Sequence, residues 1–206
     1  MAGWTKKTFQ ADPVTEFLPG PHLGRLQASF MGVVILALDV SGSMSGDRLD
    51  QARKGCQRFI DEAVQDKYSV GVILWDHGVS AFTPPHPSPN NARDMIASAA
   101  VSGGTNIVPC LQQAHEALME QPAGDRVLAV FGDGDLGNRQ QAIATAELLK
   151  ADGIRIITCG LGDESAAQLD VISTENSEAP RTATTATIAE SIASMAGGLV
   201  RKSYLS

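Results

Sequence analysis

Cysteine is scarce in this chain of 206 residues: there are three, Cys56, Cys110 and Cys159, with no CxxC pair among them. An odd, widely spaced set makes no disulfide framework. Two of the three fall in helical patterns, where a thiol serves as a small buried hydrophobe. The compartment expected is therefore reducing, and the location cytoplasmic. Aromatics are scarce too, at 5% of residues against 43% hydrophobic overall, so the core must be built from aliphatic side chains. Basic residues are outnumbered, 16 Lys and Arg against 23 Asp and Glu, for a net charge of −7. A nucleic-acid backbone needs clustered cations, so no nucleic-acid partner is expected. No window approaches the roughly 20 apolar residues of a membrane span. The first residues, Met1 to Lys7, lack the apolar stretch of a secretory leader.

The patterns of several common sites are missing as well. His22, His77, His86 and His115 show neither HxxxH nor HxH spacing, so no zinc site is expected. There is no GxxxxGK[ST] phosphate loop. Gly42-Ser43-Met44-Ser45-Gly46 has Met44 where a nucleophile elbow needs serine.

What is present is a regular alternation. Residues 1–30 are irregular, with Pro13, Pro19, Gly20, Pro21 and Gly24, and read as an extended arm; residues 31–206 read as one domain. Apolar or β-branched runs predict strands over 33–38, 68–75, 79–82, 126–131, 154–159 and 181–185. Helical spacing predicts helices over 48–64, 92–100, 107–120, 139–151, 165–173 and 188–195. The run over 79–82 follows a tight turn at His77-Gly78 and meets the prolines Pro84, Pro85, Pro87 and Pro89, which mark it as a short edge strand. The fold class expected is α/β. It has a doubly wound, mostly parallel central sheet of about six strands, one short antiparallel edge strand, and helices on both faces. In such sheets ligands sit beyond the carboxyl ends of the strands.

One strand ends in an unusual way. After the apolar run Val33-Val34-Ile35-Leu36-Ala37-Leu38 come Asp39-Val40-Ser41-Gly42-Ser43, whose carboxylate and two hydroxyls alternate and present three oxygens on one side of a loop. Oxygen-only ligands of mixed charge suit Mg²⁺ or Mn²⁺, with Ca²⁺ behind them, far better than zinc or copper. Two further loops reach the same edge. In Ser102-Gly103-Gly104-Thr105-Asn106, paired glycines precede a hydroxyl near a helix start, and Gly132-Asp133-Gly134-Asp135 places a second aspartate at a strand end. Each piece alone has an ordinary structural reading: Asp and Ser favour turns and caps, Thr105 reads as a helix cap, Asp133 as a turn residue and Asp135 as solvated surface. Asp47 reads as the cap of the first helix, and Trp75-Asp76 as packing followed by a turn.

In this order, Leu38-Asp39-Val40-Ser41-Gly42-Ser43-Met44, Gly103-Gly104-Thr105-Asn106 and Gly132-Asp133-Gly134 strongly resemble the metal-ion-dependent adhesion site of the von Willebrand factor A-domain family, over about residues 31–200. The chain departs from the pattern at Gly132, where many members carry Thr or Ser, and the hydrogen bond of that hydroxyl is expected to be absent. The resemblance implies that Ser41 and Ser43 bind the metal directly, and Thr105 directly or through water according to conformational state. It implies that Asp39 and Asp133 hold coordinated waters or ligate. An octahedral ion then keeps one position for an outside carboxylate, a Glu or Asp of a partner protein, with Met44, Gly104, Asn106 and Asp135 on the partner-binding rim.

Within the family, the compact intracellular bacterial type is nearest in kind. The opening Leu-Asp-x-Ser-Gly-Ser-Met-Ser-Gly is similar to that of A-domain proteins linked to tellurite resistance and stress response, which associate with kinases, phosphatases or AAA+ ATPases. The implied function is a non-catalytic, metal-dependent protein-interaction module in such an assembly. Two alternatives stay open. One is a Mg²⁺-dependent phosphoryl-transfer enzyme with Asp39 or Asp133 as nucleophile, against which Ser41 stands where many such enzymes use a second aspartate. The other is a metal-free structural scaffold.

Overall fold

In the computed structural model, which describes residues 31–122, 124–175 and 180–199, the apolar run after Met31 is a central strand, β1 (Gly32–Asp39), buried along its whole length. A strand covered on both faces must be apolar on both, and β1 divides accordingly. Val34, Leu36 and Leu38 enter one core, and Val33, Ile35 and Ala37 enter the other. The arm over 1–30 lies outside the described residues.

The remaining strands are β2 (Tyr68–Trp75), β3 (Val79–His86), β4 (Asp125–Gly132), β5 (Ile154–Leu161) and β6 (Thr182–Ala183). They form one six-stranded sheet in the order β3-β2-β1-β4-β5-β6. All pairs are parallel except β2 with β3. The helices are α1 (Asp47–Gln65), α2 (Asn90–Ser98), α3 (Val108–Met119), α4 (Arg139–Ala151), α5 (Asp163–Asp170) and α6 (Ile188–Ser194). One face of the sheet is covered by α1, α2 and α6, through residues such as Phe59, Ile60, Ile96 and Ile192. The other is covered by α3, α4 and α5, through Leu111, Leu118, Leu149 and Leu169. Each fully buried side chain of this size contributes about 1.5–3 kcal/mol relative to exposure. The order of strands reverses at β1, which has β2 on one side and β4 on the other. The carboxyl ends of β1 and β4 therefore open the crevice in which such folds place ligands.

Three expectations are corrected. The edge strand continues past 79–82 through Pro84 and Pro85 to His86. Proline is tolerated there because an edge strand has one side without a ladder partner, and the pairing is irregular between Val70 and Val72, where a side chain on Gly71 would strike Pro85. Asp47 does not cap the first helix; Gly46, at φ 71, holds that position, and Asp47 and Asp50 instead place charge in the first turn, where the helix dipole favours it. The last strand shrinks to Thr182–Ala183, and α6 continues as a 3-10 turn over Met195–Gly198. At the amino ends of the strands, Arg155 donates to both oxygens of Asp125, at 3.0 and 2.6 Å, and to the carbonyl of Gly198 at 2.7 Å, which pins that last turn to the sheet.

Candidate metal centre

Asp39 is the last residue of β1 and is fully buried. Its Oδ1 accepts the Ser41 backbone N–H at 2.8 Å, a turn that folds the chain back over the strand end. A single 3-10 turn, Gly42–Met44, follows, and it sets the hydroxyls of Ser41 and Ser43 3.0 Å apart. On the neighbouring strand Phe131 pairs with Leu38, so the residue after β4 emerges beside Asp39. That residue is Asp133: its N–H points to Asp39 Oδ2 at 3.4 Å, and its Oδ2 accepts the Ser43 hydroxyl. Oxygens of Asp39, Ser41, Ser43 and Asp133, two of them from residues far apart in sequence, thus lie in one chain of hydrogen bonds.

Thr105 comes to the same edge through its backbone. The loop between α2 and α3 is laced to β1 by Ser102 N–H to Val40 O at 2.7 Å and by Gly42 N–H to Gly103 O at 3.3 Å. It is laced to the β4 side by Ile107 N–H to Leu136 O at 3.4 Å. Gly137, at φ 68, has no side chain because a Cβ there would lie 2.7 Å from the Thr105 carbonyl. Thr105 is half-buried between the two aspartate-bearing loops.

Three of the four expected rim residues lie on the outer side of these loops. Gly104 is exposed, half-buried Asn106 accepts the Val108 N–H at 3.2 Å where α3 begins, and exposed Asp135 accepts the Gly137 N–H at 2.8 Å. Met44 is different. It is fully buried in the core with Leu49 and Val40, on the inner side of the turn whose outer side carries exposed Ser43. It anchors the turn and does not belong to the rim.

Burial pushes the Asp39 carboxyl up to about 6; the two hydrogen bonds from Ser41 oppose this, and the charge of Asp133 adds to it. The same burial pushes the nearby Cys110 thiol up, helped by the charge of Asp39. Asp76 behaves in the opposite way. It too is buried, which alone would raise it, but the hydroxyls of Ser102 and Ser80, the Gly78 N–H and the neighbouring His77 together hold it below the usual carboxylate range. The expected turn is present, since Asp76 accepts the Gly78 N–H at 3.1 Å. Beyond the turn, its carbonyl accepts the Asn106 N–H at 2.7 Å, so Asp76 also holds the threonine loop in place. This second role escaped the sequence reading; the available signal was a carboxylate directly after β2, on the strand beside the one that Asp39 ends. Arg48 is a further unforeseen neighbour, donating to the Ser43 carbonyl at 2.9 Å. Two carboxylates and neighbouring hydroxyls, without sulfur or imidazole among them, form a donor set for a hard divalent cation.

The fold and this edge define an α/β protein with its oxygen-rich site at the topological switch point. Residues 34–135 match the family profile described as von Willebrand factor type A domain, a span that holds both aspartates, both serines and Thr105, and this part of the chain is a domain of that family. Calcium-activated chloride channel regulator 1 of Mus musculus is 26% identical over 170 residues, which cover 80% of this chain and 18% of the mouse protein. The chain therefore spans under a fifth of that relative's length. Among solved structures, the vWF domain of the type V pili tip protein Mfa5 from Porphyromonas gingivalis superposes with a TM-score of 0.72 at 16% identity, covering 83% of this chain and 95% of that one. A von Willebrand factor type A protein from Catenulispora acidiphila gives 0.67 at 18% identity, covering 81% and 42%. These structural likenesses establish the fold.

Proposed function

We propose that this domain is a protein-interaction module whose divalent cation, Mg²⁺ or Mn²⁺, recruits an Asp or Glu of a partner protein, and that it is not an enzyme. The observation that carries the reading is the chain of hydrogen bonds linking Asp39, Ser41, Ser43 and Asp133 at the carboxyl ends of β1 and β4. Ser41, Ser43 and Thr105 would hold the ion as neutral oxygens, and Asp39 and Asp133 would hold it or its waters. Mg²⁺ takes near-octahedral oxygen geometry and is commonly bound by one or two carboxylates, keeping several waters. With only two carboxylates beside neutral hydroxyls, it stays electrophilic enough to attract a further anion.

The narrower part of the reading places the module in a bacterial stress-response assembly with kinases, phosphatases or AAA+ ATPases. Its support is the Leu38–Gly46 motif. A cytoplasmic setting is supported by Cys56, Cys110 and Cys159, all buried and unpaired. The test is affinity capture with the full chain from extracts of its own cells, in Mg²⁺ and in EDTA, with mass spectrometry of the captured proteins. The expected result is a partner retained in Mg²⁺, lost in EDTA and lost with Ser43→Ala. A partner held at full strength in EDTA would overturn the metal-bridged mechanism.

A further inference from the structure

Arg48 stands in the first turn of α1, where the helix dipole disfavours a cation. The acids of that turn do not hold it. Asp50 pairs with Arg53 at 2.8 Å, and Arg48 has no ion-pair partner among the described residues. Its side chain instead turns back to the 3-10 turn before the helix and donates to the Ser43 carbonyl at 2.9 Å. The hydroxyl of that same residue belongs to the candidate metal centre, through Ser41 and Asp133. A cation set against its helix's polarity, without an acid to hold it, and laid against the centre calls for a reason there.

The charges of the centre supply one. Asp39 and Asp133 together balance a divalent cation, while Ser41, Ser43 and Thr105 bring neutral oxygens. A loaded centre is then close to neutral and draws a carboxylate by coordination alone. Arg48 adds a positive charge beside it, and no other Lys, Arg or His hydrogen-bonds to a residue of this set among the described residues. A guanidinium is a planar fork of N–H donors that matches a carboxylate. The Ser43 carbonyl takes one donor, and no second acceptor holds Arg48 among the described residues. The rest of the fork is left for an anion beside Ser43, which is itself exposed.

We propose that Arg48 is a specificity-determining residue of this module: it clamps the carboxylate that the metal recruits, bonding one oxygen of that group while the other serves the ion. The bond to the Ser43 carbonyl fixes the fork beside the centre. Preference for a charged carboxylate over a neutral amide of the same shape then comes from Arg48. The inference rests on the metal-bridged reading and adds a residue that the metal-binding pattern does not contain.

The test uses the full chain with MnCl2, and acetate and acetamide as probes. Arg48→Gln keeps a polar stem that can donate to the Ser43 carbonyl, and removes the charge. Calorimetric titration should give this variant at least the parent's Mn²⁺ affinity, since a like charge near the ion is gone. In the Mn²⁺-loaded proteins, paramagnetic relaxation of the acetate methyl protons should show acetate bound about three- to tenfold more weakly by the variant. Acetamide should show no such difference. Arg48→Lys, which keeps the charge without the fork, should stay weaker than the parent; full recovery would overturn the clamp. Equal acetate affinity in the parent and Arg48→Gln overturns the proposal while the metal reading stands. Lost Mn²⁺ affinity in Arg48→Gln would mark Arg48 as a brace of the turn and overturn it as well. A parent chain that binds no Mn²⁺, or binds it without relaxing acetate, overturns the metal-bridged reading itself and this proposal with it.

Discussion

Asp39 is held under opposing demands. Strand burial favours its neutral form, and the site proposed for it needs the charged one. With the folded carboxyl raised to about 6 and an unfolded value of about 3.9, the folded state binds the proton more tightly. Its contribution to stability is therefore present below about pH 4 and is lost as the pH rises through 6, the reverse of a salt-bridged aspartate. The loss is on the order of 2–3 kcal/mol, at 1.36 kcal/mol per unit. Asp39→Asn keeps an oxygen for the Ser41 N–H and removes the charge. In EDTA at pH 7.5 this variant should be more stable than the parent chain by an amount of that order, and the difference should vanish near pH 4. Urea unfolding at the two pH values measures it; a variant less stable than the parent at pH 7.5 would contradict the stated cause of the shift. With saturating Mg²⁺ the order should invert, because a bound cation stabilises the carboxylate.

The pairing of helices α1 and α6 depends on a residue with no side chain. Gly55 lies mid-helix in α1, and a Cβ on it would come within 2.8 Å of the Ala189 carbonyl and 2.9 Å of both the Ala189 Cα and the Ile192 Cβ. Replacing glycine by alanine inside a helix gains roughly 1 kcal/mol of propensity. Forcing α6 outward costs about 1–3 kcal/mol, and because the obstructing atoms include backbone, the upper part of that range applies. Gly55→Ala should thus lower the urea midpoint, and an unchanged or higher midpoint would show that α6 yields freely. At this scale the sequence was readable where periodicity was strong: α4 occupies Arg139–Ala151 as the spacing predicts. It misled where context decides, as at Pro84 and Pro85, which end a central strand but not an edge strand. Met44 misled for a related reason, since one residue of offset in a 3-10 turn separates the core from the surface. The second role of Asp76 was hidden because its partners Ser102 and Asn106 return from a distant loop.

Across the whole molecule, the two halves of the candidate site belong to strands that the sheet order makes neighbours, β1 and β4, although the chain visits two other strands between them. The alternation of strands and helices made that adjacency legible, since a doubly wound sheet gathers its ligand-bearing loops where its order reverses. What the alternation could not convey is the close packing at Gly132, where a Cβ would lie 3.0 Å from Asp39 Oδ2 and 3.1 Å from Trp75 Cζ2. If the site holds a cation in the folded state alone, the ion must stabilise the whole domain, by about 2.7 kcal/mol at one hundred times its dissociation constant. The most direct test is calorimetric titration of the metal-free chain with MgCl2 and MnCl2, paired with thermal unfolding in the same solutions. The account predicts one saturable site per chain and a rise in unfolding temperature, both abolished by Asp39→Ala and both weakened by Ser43→Ala or Thr105→Ala. No heat and no thermal shift with either ion would contradict it.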